Sequence, residues 1–207
     1  MIALVHGLGL SRRYFARLQP LLPDSRAVDL HGASLDELTE SLAVAVEPGS
    51  VIVANSLGAQ IATELAVRSP EQVRALVLTG PTWDPVAPSV PEQLVRLVAD
   101  SYREQLSLVP VVLADYVRHG PLQILRAARS MLRHPMAERV AEVAVPVVVV
   151  RGSRDPICGE AWAERLVDVA VFGRLVVVHG AAHAVDWSHP GAVAHVVEEL
   201  QEALGED

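Results

Sequence analysis

The chain has 207 residues, of which 51% are hydrophobic and 4% aromatic, and its formal net charge is −8. This length supports one large hydrophobic core, and the hydrophobic fraction excludes an intrinsically disordered protein. The acidic charge disfavours nucleic acid and anionic membranes as partners, because its long-range field repels polyanions.

The N-terminal residues MIALVHG lack the basic region and the apolar length of a signal peptide. No apolar run approaches the roughly 20 residues that a membrane span needs. Cys158 is the only cysteine, which excludes an intramolecular disulfide and a cysteine-based zinc site. We therefore expect a cytoplasmic protein without a membrane segment, and nothing in the sequence indicates a metal or an organic cofactor.

Short runs rich in β-branched residues alternate along the chain with longer segments of 3.6-residue periodicity. The predicted strands are Ile2–Val5, Arg26–Leu30, Ser50–Ala54, Ala75–Thr79, Val145–Val150 and Leu175–Val178. The predicted helices between and after them are Arg12–Leu22, Leu35–Val46, Leu57–Arg68, Glu160–Val169 and Gly191–Leu204. This alternation predicts an α/β fold, with a parallel sheet covered by helices on both faces.

Residues 82–143 interrupt this alternation, because they are too long for a single crossover between strands. They open with the proline-rich stretch PTWDPVAPSVP and continue with four apolar helical patterns: Glu92–Tyr102, Leu106–His119, Leu122–Arg133 and Met136–Glu142. We interpret 82–143 as a helical cap inserted into a core domain of residues 1–81 and 144–207. Ligands bind at the carboxyl ends of the strands in such sheets, which is where this segment begins. The alternative is an ordinary helical extension buried elsewhere.

The stretch VIVANSLGAQ, residues 51–60, joins a buried strand directly to a helical pattern. So short a turn forces Ser56 into a strained backbone conformation and requires small neighbours, here Ala54 and Gly58. It also lifts the Ser56 hydroxyl above the sheet, at the amino end of a helix, where backbone N–H groups favour negative charge. The pattern predicts a nucleophilic serine, and an N-capping serine is the alternative.

A serine nucleophile needs a base, because its hydroxyl is a poor nucleophile at neutral pH. Of the eight histidines, His183 follows the last predicted strand, on the side of the sheet where Ser56 is expected. Asp155 follows the fifth strand and is predicted to orient the imidazole, with Asp186 as the second choice. The alternative role for Asp155 is that of a turn residue before proline.

An oxyanion also needs hydrogen-bond donors. The residue after the nucleophile, Leu57, offers one N–H. The first strand runs into HGLG, residues 6–9, where glycines let the backbone approach a ligand, so we predict Leu8 as the second donor and Gly7 as a less favoured one. A phosphate-binding loop is the rival interpretation, but the Walker pattern needs a lysine and this chain has none.

Together these segments resemble the α/β-hydrolase superfamily over nearly the whole chain, although Ala54 stands where its G-x-S-x-G elbow usually has glycine. The matching segments, in family order, are LVHGLG (4–9), AVDLHG (27–32), VANSLGAQIATELAVRSPEQVRALVLTGP (53–81), VPVVVVRGSRDP (145–156) and HGAAHAVDWSHP (179–190). The resemblance implies Ser56 as nucleophile, His183 as base, Asp155 as acid, and a cap over 82–143 that shapes the substrate pocket.

Members of this superfamily usually carry two further strands before the H-G-x-G strand, which here begins at Ile2. We therefore expect six strands in the order 2-1-3-4-5-6, from a minimal member or a shortened start. The strand Arg26–Leu30 is then an exposed edge, which invites pairing, so that a monomer and a homodimer both remain open.

The resemblance implies acyl transfer on a small-molecule substrate. The predicted cap is rich in Leu and Val, which suits an apolar acyl or alkyl group, although packing onto the core accounts for most such residues. We predict substrate contacts from four residues near the site: His6, Gly7, Trp83 and Trp187. Three cationic residues of one predicted helix face suit either an anionic substrate or a solvated surface: Arg126, Arg129 and Arg133.

Two classes of function follow. The first is a serine esterase, with thioester or carbon–carbon bond hydrolysis as variants on the same triad. The second is a ligand-binding or sensor protein of this fold with slow or no turnover. We favour the enzyme, because a protein that does not catalyse would tolerate a broken triad and this one is complete.

Overall fold

The computed structural model of the chain describes residues 1–82, 90–132 and 134–205, and of residues 90, 93 and 94 it describes the backbone alone. Within these ranges, six parallel strands form one sheet in the order β2-β1-β3-β4-β5-β6. The strands are β1 (Ile2–Val5), β2 (Ser25–Val28), β3 (Ser50–Asn55), β4 (Val73–Thr79), β5 (Val147–Gly152) and β6 (Gly173–Val178). The predicted number and order of strands are confirmed.

The same ranges contain α1 (Leu35–Ala45), α2 (Gly58–Arg68), α3 (Val90–Ser101), α4 (Val109–His119), α5 (Pro121–Met131), α6 (Met136–Ala141), α7 (Glu160–Val169), α8 (Val185–Ser188) and α9 (Pro190–Ala203). Short 3-10 helices lie at Arg12–Phe15, Gln19–Leu21, Pro70–Gln72 and Leu106–Leu108. None of the helices in the described part combines the length and hydropathy that crossing a lipid bilayer requires.

Two layers of core cover the sheet, because successive side chains of a strand point to opposite faces. Ile52, Leu76 and Val149 belong to the layer that includes residues of α1, α2 and α7. Val53, Val77 and Val150 belong to the other, which includes residues of α8, α9 and Arg12–Phe15. Burial on both faces explains the continuous apolar runs in the sequence. Since the strands are parallel, the loops at their carboxyl ends share one edge of the sheet.

The single helix predicted over Arg12–Leu22 is wrong. The structure has two short 3-10 helices there, Arg12–Phe15 and Gln19–Leu21. Ser11 caps the first by accepting a hydrogen bond from the N–H of Arg13. Pro20 lacks the N–H that a continuous α-helix would use, and its ring would clash with the preceding turn, so the helix cannot run through it.

The second strand ends two residues earlier than the predicted Arg26–Leu30. Its last paired residue is Val28, opposite Val5. The N–H of Leu30 instead donates a hydrogen bond to Nε2 of His6, at 3.4 Å. At this point the side chain of His6, in the loop after β1, takes the place of a backbone hydrogen bond between the strands.

Helices α3 and α4 face the loops at the carboxyl edge of the sheet, since residues of both groups line one cavity. The fully buried Asp115 of α4 accepts hydrogen bonds from the N–H and the hydroxyl of Ser11, at 2.9 and 2.7 Å. Arg17 donates to Gln105 at 2.6 Å. Most of the exposed large apolar side chains of the described residues lie between Val95 and Leu125.

A buried carboxylate of α2 contacts side chains in and just before α6. Glu64 accepts hydrogen bonds from Arg139 at 2.7 Å and from Arg68 at 2.8 Å, and it lies 2.9 Å from Nε2 of His134. Burial disfavours the charged carboxylate, but these hydrogen bonds outweigh it and lower the pKa of Glu64 to about 2.

Candidate active site

Ser56 lies in the turn between β3 and α2 with a φ of 56°, the only positive φ of a non-glycine residue in the described part of the chain. Its N–H donates to the carbonyl of Thr79 at 2.9 Å, which fixes the turn against β4. The helix that follows begins against the first loop, because a Cβ at Gly58 would lie 2.6 Å from the carbonyl oxygen of His6. The strained turn and the small residue therefore occur where the sequence predicts them.

A continuous chain of hydrogen bonds joins Ser56, His183 and Asp155. Nε2 of His183 lies 2.9 Å from the Ser56 hydroxyl, and Nδ1 lies 2.8 Å from Oδ2 of Asp155. The acceptor at Nδ1 is a carboxylate, so this nitrogen carries the proton and Nε2 is left to accept from the serine. The arrangement can remove the Ser56 proton as the hydroxyl attacks a carbonyl.

Backbone groups fix the carboxylate that orients the imidazole. Oδ1 of Asp155 accepts the N–H of Ile157 at 2.7 Å and that of Cys158 at 3.0 Å. The end of β4 also makes room for the ring: a Cβ at Gly80, which has a φ of 54°, would lie 2.9 Å from Nδ1 of His183. Gly80 thus supplies both the positive φ and the space that the imidazole needs.

Negative charge surrounds the imidazole of His183. Burial of the ring opposes protonation, but the charge of Asp155, the hydrogen bond to it and the charges of Asp100 and Glu104 outweigh burial and raise the pKa of His183 to about 9. The neutral imidazole that can accept the Ser56 proton therefore becomes the main form of His183 only as the pH approaches 9.

The sequence reasoning missed Asp100 and Glu104. Oδ1 of the buried Asp100 accepts the N–H of His183 at 3.1 Å, and Oε1 of Glu104 accepts the N–H of Ala184 at 2.6 Å. Burial raises the pKa of Asp100 to about 7, the positive charge of His183 opposes this, and the charges of Glu104 and Asp155 add to it. The feature of the sequence that could have indicated them is the spacing of two carboxylates, four residues apart, at the end of an amphipathic helical pattern.

Ser56 and His183 open into a cavity of about 380 Å³. The walls from the sheet edge include Gly7, Leu8 and Leu57, so both residues predicted as oxyanion donors lie beside Ser56. The walls from the helical segment are mainly apolar and come from Leu97, Leu108, Val109, Val112, Leu113 and Tyr116. The volume suits a small to medium acyl or alkyl group.

Two residues predicted to contact substrate lie elsewhere. The ring of His6 is held by the carbonyl of Gly7 at 2.9 Å and by the N–H of Leu30, and it lines a separate void of about 40 Å³. Trp187 does not line the large cavity either: it packs against the guanidinium of Arg17, 4.5 Å from its ring centre. For His6, burial of the ring lowers the pKa of the imidazole, because it disfavours the protonated form.

The remaining candidates divide between buried structural positions and exposed ones. The carboxylate of Asp186 accepts hydrogen bonds from Thr79, Asn55 and Tyr14, whereas Asp155 is the carboxylate that lies at Nδ1 of His183. Burial raises the pKa of Asp186 to about 6. Arg126 and Arg129 are exposed on α5, away from the cavity. Two residues of these predictions, Trp83 and Arg133, lie outside the described residues.

Within the ranges that the structure describes, no three His, Cys, Asp or Glu side chains are placed to hold a metal ion. The polar groups that meet at the cavity are a hydroxyl, an imidazole with a carboxylate behind it, and backbone N–H groups at the amino end of a helix, and groups of these kinds can carry out acyl transfer.

The fold agrees with the known proteins that the chain resembles. The model of the alpha/beta hydrolase family matches residues 2–196. The match spans most of the chain, which therefore belongs to the alpha/beta hydrolase family. The predicted fold is confirmed by this result.

Individual relatives are esterases by name. The pimeloyl-[acyl-carrier protein] methyl ester esterase of Neisseria meningitidis serogroup B is 29% identical, over 97% of this chain and 92% of its own length. The protein of the same name from Serratia marcescens is 26% identical, over 95% of this chain and 92% of its own. Family and relatives confirm the prediction of a hydrolase of the esterase type.

A solved structure shows the same architecture. The thermophilic esterase from Thermogutta terrifontis superposes with a TM-score of 0.80 at 18% identity, over 98% of this chain and 89% of that one. At this level of identity, the likeness shows the fold alone.

Proposed function

We propose that the chain is a serine esterase in which Ser56 attacks the ester carbonyl, His183 is the base and Asp155 orients it. The observation that carries this proposal is the chain of hydrogen bonds Ser56–His183–Asp155, at 2.9 and 2.8 Å, with its serine open to an apolar cavity. Membership of the alpha/beta hydrolase family supports the same assignment.

The reaction is a two-step acyl transfer. His183 takes the Ser56 proton through Nε2 while Oγ forms a bond to the carbonyl carbon, and the imidazolium then protonates the departing alcohol. Water attacks the acyl-enzyme with the same base, and the acid product leaves as Oγ regains its proton. The charge of Asp155 stabilises the imidazolium in both steps.

The oxyanion is stabilised by two backbone N–H groups. We assign them to Leu57, the residue directly before α2, and to Leu8 in the first loop, because both line the cavity next to Ser56. The N-terminus of α2 adds a favourable dipole to the first of these donors. Gly58 makes the arrangement possible, since any side chain there would push the first loop and α2 apart.

Residues 82–143, which include the helices α3 to α6, act as a cap over the core of residues 1–81 and 144–207. Their apolar side chains close the cavity above Ser56, which fits esters with apolar acyl or alkyl groups of small to medium size. The relatives named as methyl ester esterases of an acyl-carrier-protein-bound pimeloyl group make a medium acyl chain with a small alcohol a reasonable first choice.

The proposal is tested with p-nitrophenyl esters of increasing acyl length, assayed on the unmodified chain, Ser56→Ala and Ser41→Ala. Ser41 lies on α1, where its hydroxyl accepts the N–H of His31 far from the cavity, and so is a matched control. We expect turnover that Ser41→Ala retains and Ser56→Ala loses by about 10⁴-fold or more. Turnover that survives in Ser56→Ala would refute the mechanism. If the folded chain cleaves thioesters but no ester, the proposed function changes from esterase to thioesterase with the same triad.

A further inference from the structure

The cavity holds negative charge that the hydrolytic mechanism does not require. Asp100 and Glu104 both line it, four residues apart at the end of α3 and in the turn that follows. Asp100 is only 4% exposed and touches the main chain of His183, the proposed base. One oxygen of Glu104, Oε2, is buried and has no hydrogen-bond partner within the described residues.

No positive side chain of the described residues lines this cavity to balance the two carboxylates, other than His183 when protonated. The guanidinium of Arg96 is directed to the carbonyl of Ile157 at 3.4 Å, and Arg103 to that of Ala99 at 3.5 Å. Asp155 adds a further negative charge behind the imidazole. A group bound near Ser56 therefore experiences mainly negative potential in a cavity with largely apolar walls, where charges interact more strongly than in bulk water.

We propose that Asp100, assisted by Glu104, is a specificity-determining residue that makes the cavity favour esters carrying a positive charge over neutral ones and reject esters carrying a carboxylate. The inference rests on the esterase function proposed above. It adds the charge of the substrate to the size and polarity that the apolar walls define.

The preference depends on pH, because Asp100 discriminates only when ionised. The groups that face it are His183 and Asp155 at the sheet edge and Glu104 on its own segment. Its pKa of about 7 places this ionisation in the neutral range. The ratio of cationic to neutral turnover is therefore expected to rise between pH 6 and pH 8.

The test uses three esters that differ mainly in charge: butyrylcholine, its uncharged isostere 3,3-dimethylbutyl butyrate, and the mono-3,3-dimethylbutyl ester of succinic acid. Acid release at constant pH 8 gives kcat/KM for each. We expect the cationic ester to exceed its isostere about tenfold and the anionic ester to fall below it by a similar factor. Asp100→Asn should bring both ratios to within about threefold of one, and Glu104→Gln should lower them less.

Asp168→Asn is the matched control, because Asp168 is exposed on α7 and its loss removes one negative charge far from the cavity. It should leave both ratios unchanged. Ratios near one in the unmodified chain, or ratios that Asp100→Asn leaves unchanged, would overturn the inference. If Asp100→Asn fails to fold, Glu104→Gln replaces it: ratios that move toward one support the inference, and unchanged ratios overturn it.

Failure of the proposed function is distinguished by a binding measurement. If the unmodified chain cleaves none of the three esters, calorimetric titration of Ser56→Ala with butyrylcholine and with its isostere replaces turnover. Tighter binding of the cation, abolished by adding Asp100→Asn, supports the charge preference although the esterase proposal has failed. Equal binding of the two ligands overturns it.

Discussion

The carboxyl edge of the sheet and the helical segment of residues 90–132 form opposite walls of one cavity but are built differently. At the sheet edge, backbone groups hold two of the reactive residues: the N–H of Ser56 donates to the carbonyl of Thr79, and Asp155 accepts from two N–H groups of its own loop. The strands β3 and β5 beneath them are wholly buried, whereas the edge strand β6 is partly exposed. In the helical segment, side chains such as Leu113 and Val117 remain 60% and 84% exposed.

Hydrogen bonds that involve side chains hold the helical segment to the core. They include those of Asp115 to Ser11, Asp100 to the main chain of His183, Glu104 to that of Ala184, and Arg17 to Gln105. On the function proposed above, the sheet edge carries out the chemistry and the helical segment selects the substrate. Substitutions should therefore affect the two regions in different ways.

The largest effect is expected for the orienting carboxylate at the sheet edge. Asp155→Asn should lower kcat by about 10⁴-fold, because an amide no longer enforces the imidazole tautomer that leaves Nε2 free to accept a proton. Steady-state kinetics on a reactive ester measures this, with thermal unfolding to establish that the variant folds. Asp168→Asn on exposed α7 is the control and should retain activity. A loss below tenfold for Asp155→Asn would remove this residue from the mechanism.

The same contrast should appear in stability. Leu76→Ala empties a fully buried position in β4 and should lower the free energy of unfolding by about 3–4 kcal/mol. Leu113→Ala removes a side chain that is 60% exposed and should cost less than about 1 kcal/mol, while changing KM because Leu113 lines the cavity. Urea denaturation separates the two. Equal losses of stability would show that the helical segment is as tightly packed as the sheet.

A third test compares the stability contributed by two carboxylates, Glu64 and Glu142, that both form ion pairs with Arg139. Glu64→Gln should cost about 1–2 kcal/mol at pH 7, because the partly exposed Arg139 and Arg68 lose the charge of a carboxylate that is only 6% exposed. Glu142, 53% exposed, also contacts Arg139, and Glu142→Gln should cost less than about 0.5 kcal/mol. The pKa of Glu64, about 2 in the folded state against 4.5 ordinarily, means that its stabilisation is present above pH 4.5 and is lost as the pH falls.

Denaturation at several pH values checks the sign of this linkage. The difference between the unmodified chain and Glu64→Gln should narrow as the pH falls from about 4.5 toward 2. A difference that stays constant over this range would mean that packing, not charge, accounts for the loss.

The smallest expected effect is on the pH dependence of turnover, through Asp100 of the helical segment acting on His183 of the sheet edge. A hydrolase of this mechanism needs neutral His183, so kcat/KM on a neutral ester should rise with pH toward the raised pKa of about 9. Asp100→Asn removes one of the negative charges that raise this pKa and should move the midpoint to lower pH by about one unit. A pH–rate profile of both proteins measures the shift. An unmoved midpoint would show that the helical segment does not influence the base.

The sequence predicted the sheet edge far better than the helical segment, and the reason is physical. Short turns between strand and helix restrict which residues fit, so Ser56 with its small neighbours could be recognised from the chain alone. The loops that carry Asp155 and His183 follow directly from buried strands whose parallel order is predictable. All three side chains were predicted, and the structure brings them within hydrogen-bonding distance.

Tertiary contacts decide the details that escaped prediction, both in the helical segment and in the loops of the sheet edge. Nothing local in the sequence indicates that Asp100 accepts the N–H of a residue 83 positions away. Trp187 follows His183 closely in sequence, yet the turn into α8 directs it toward Arg17 instead of the cavity. Proximity along the chain was a poor guide there, and the same holds for His6, whose ring is fixed by Leu30 across the loop.

The positive φ of Ser56 has a consequence for how this chain can change over generations. A serine held at 56° stores about 1 kcal/mol or more that glycine at the same position would not. Selection for thermal tolerance alone should therefore replace Ser56 with glycine and yield an inert protein with a higher melting temperature, whereas selection for turnover retains the serine. On the proposed mechanism, the serine at position 56 therefore serves turnover at the expense of stability.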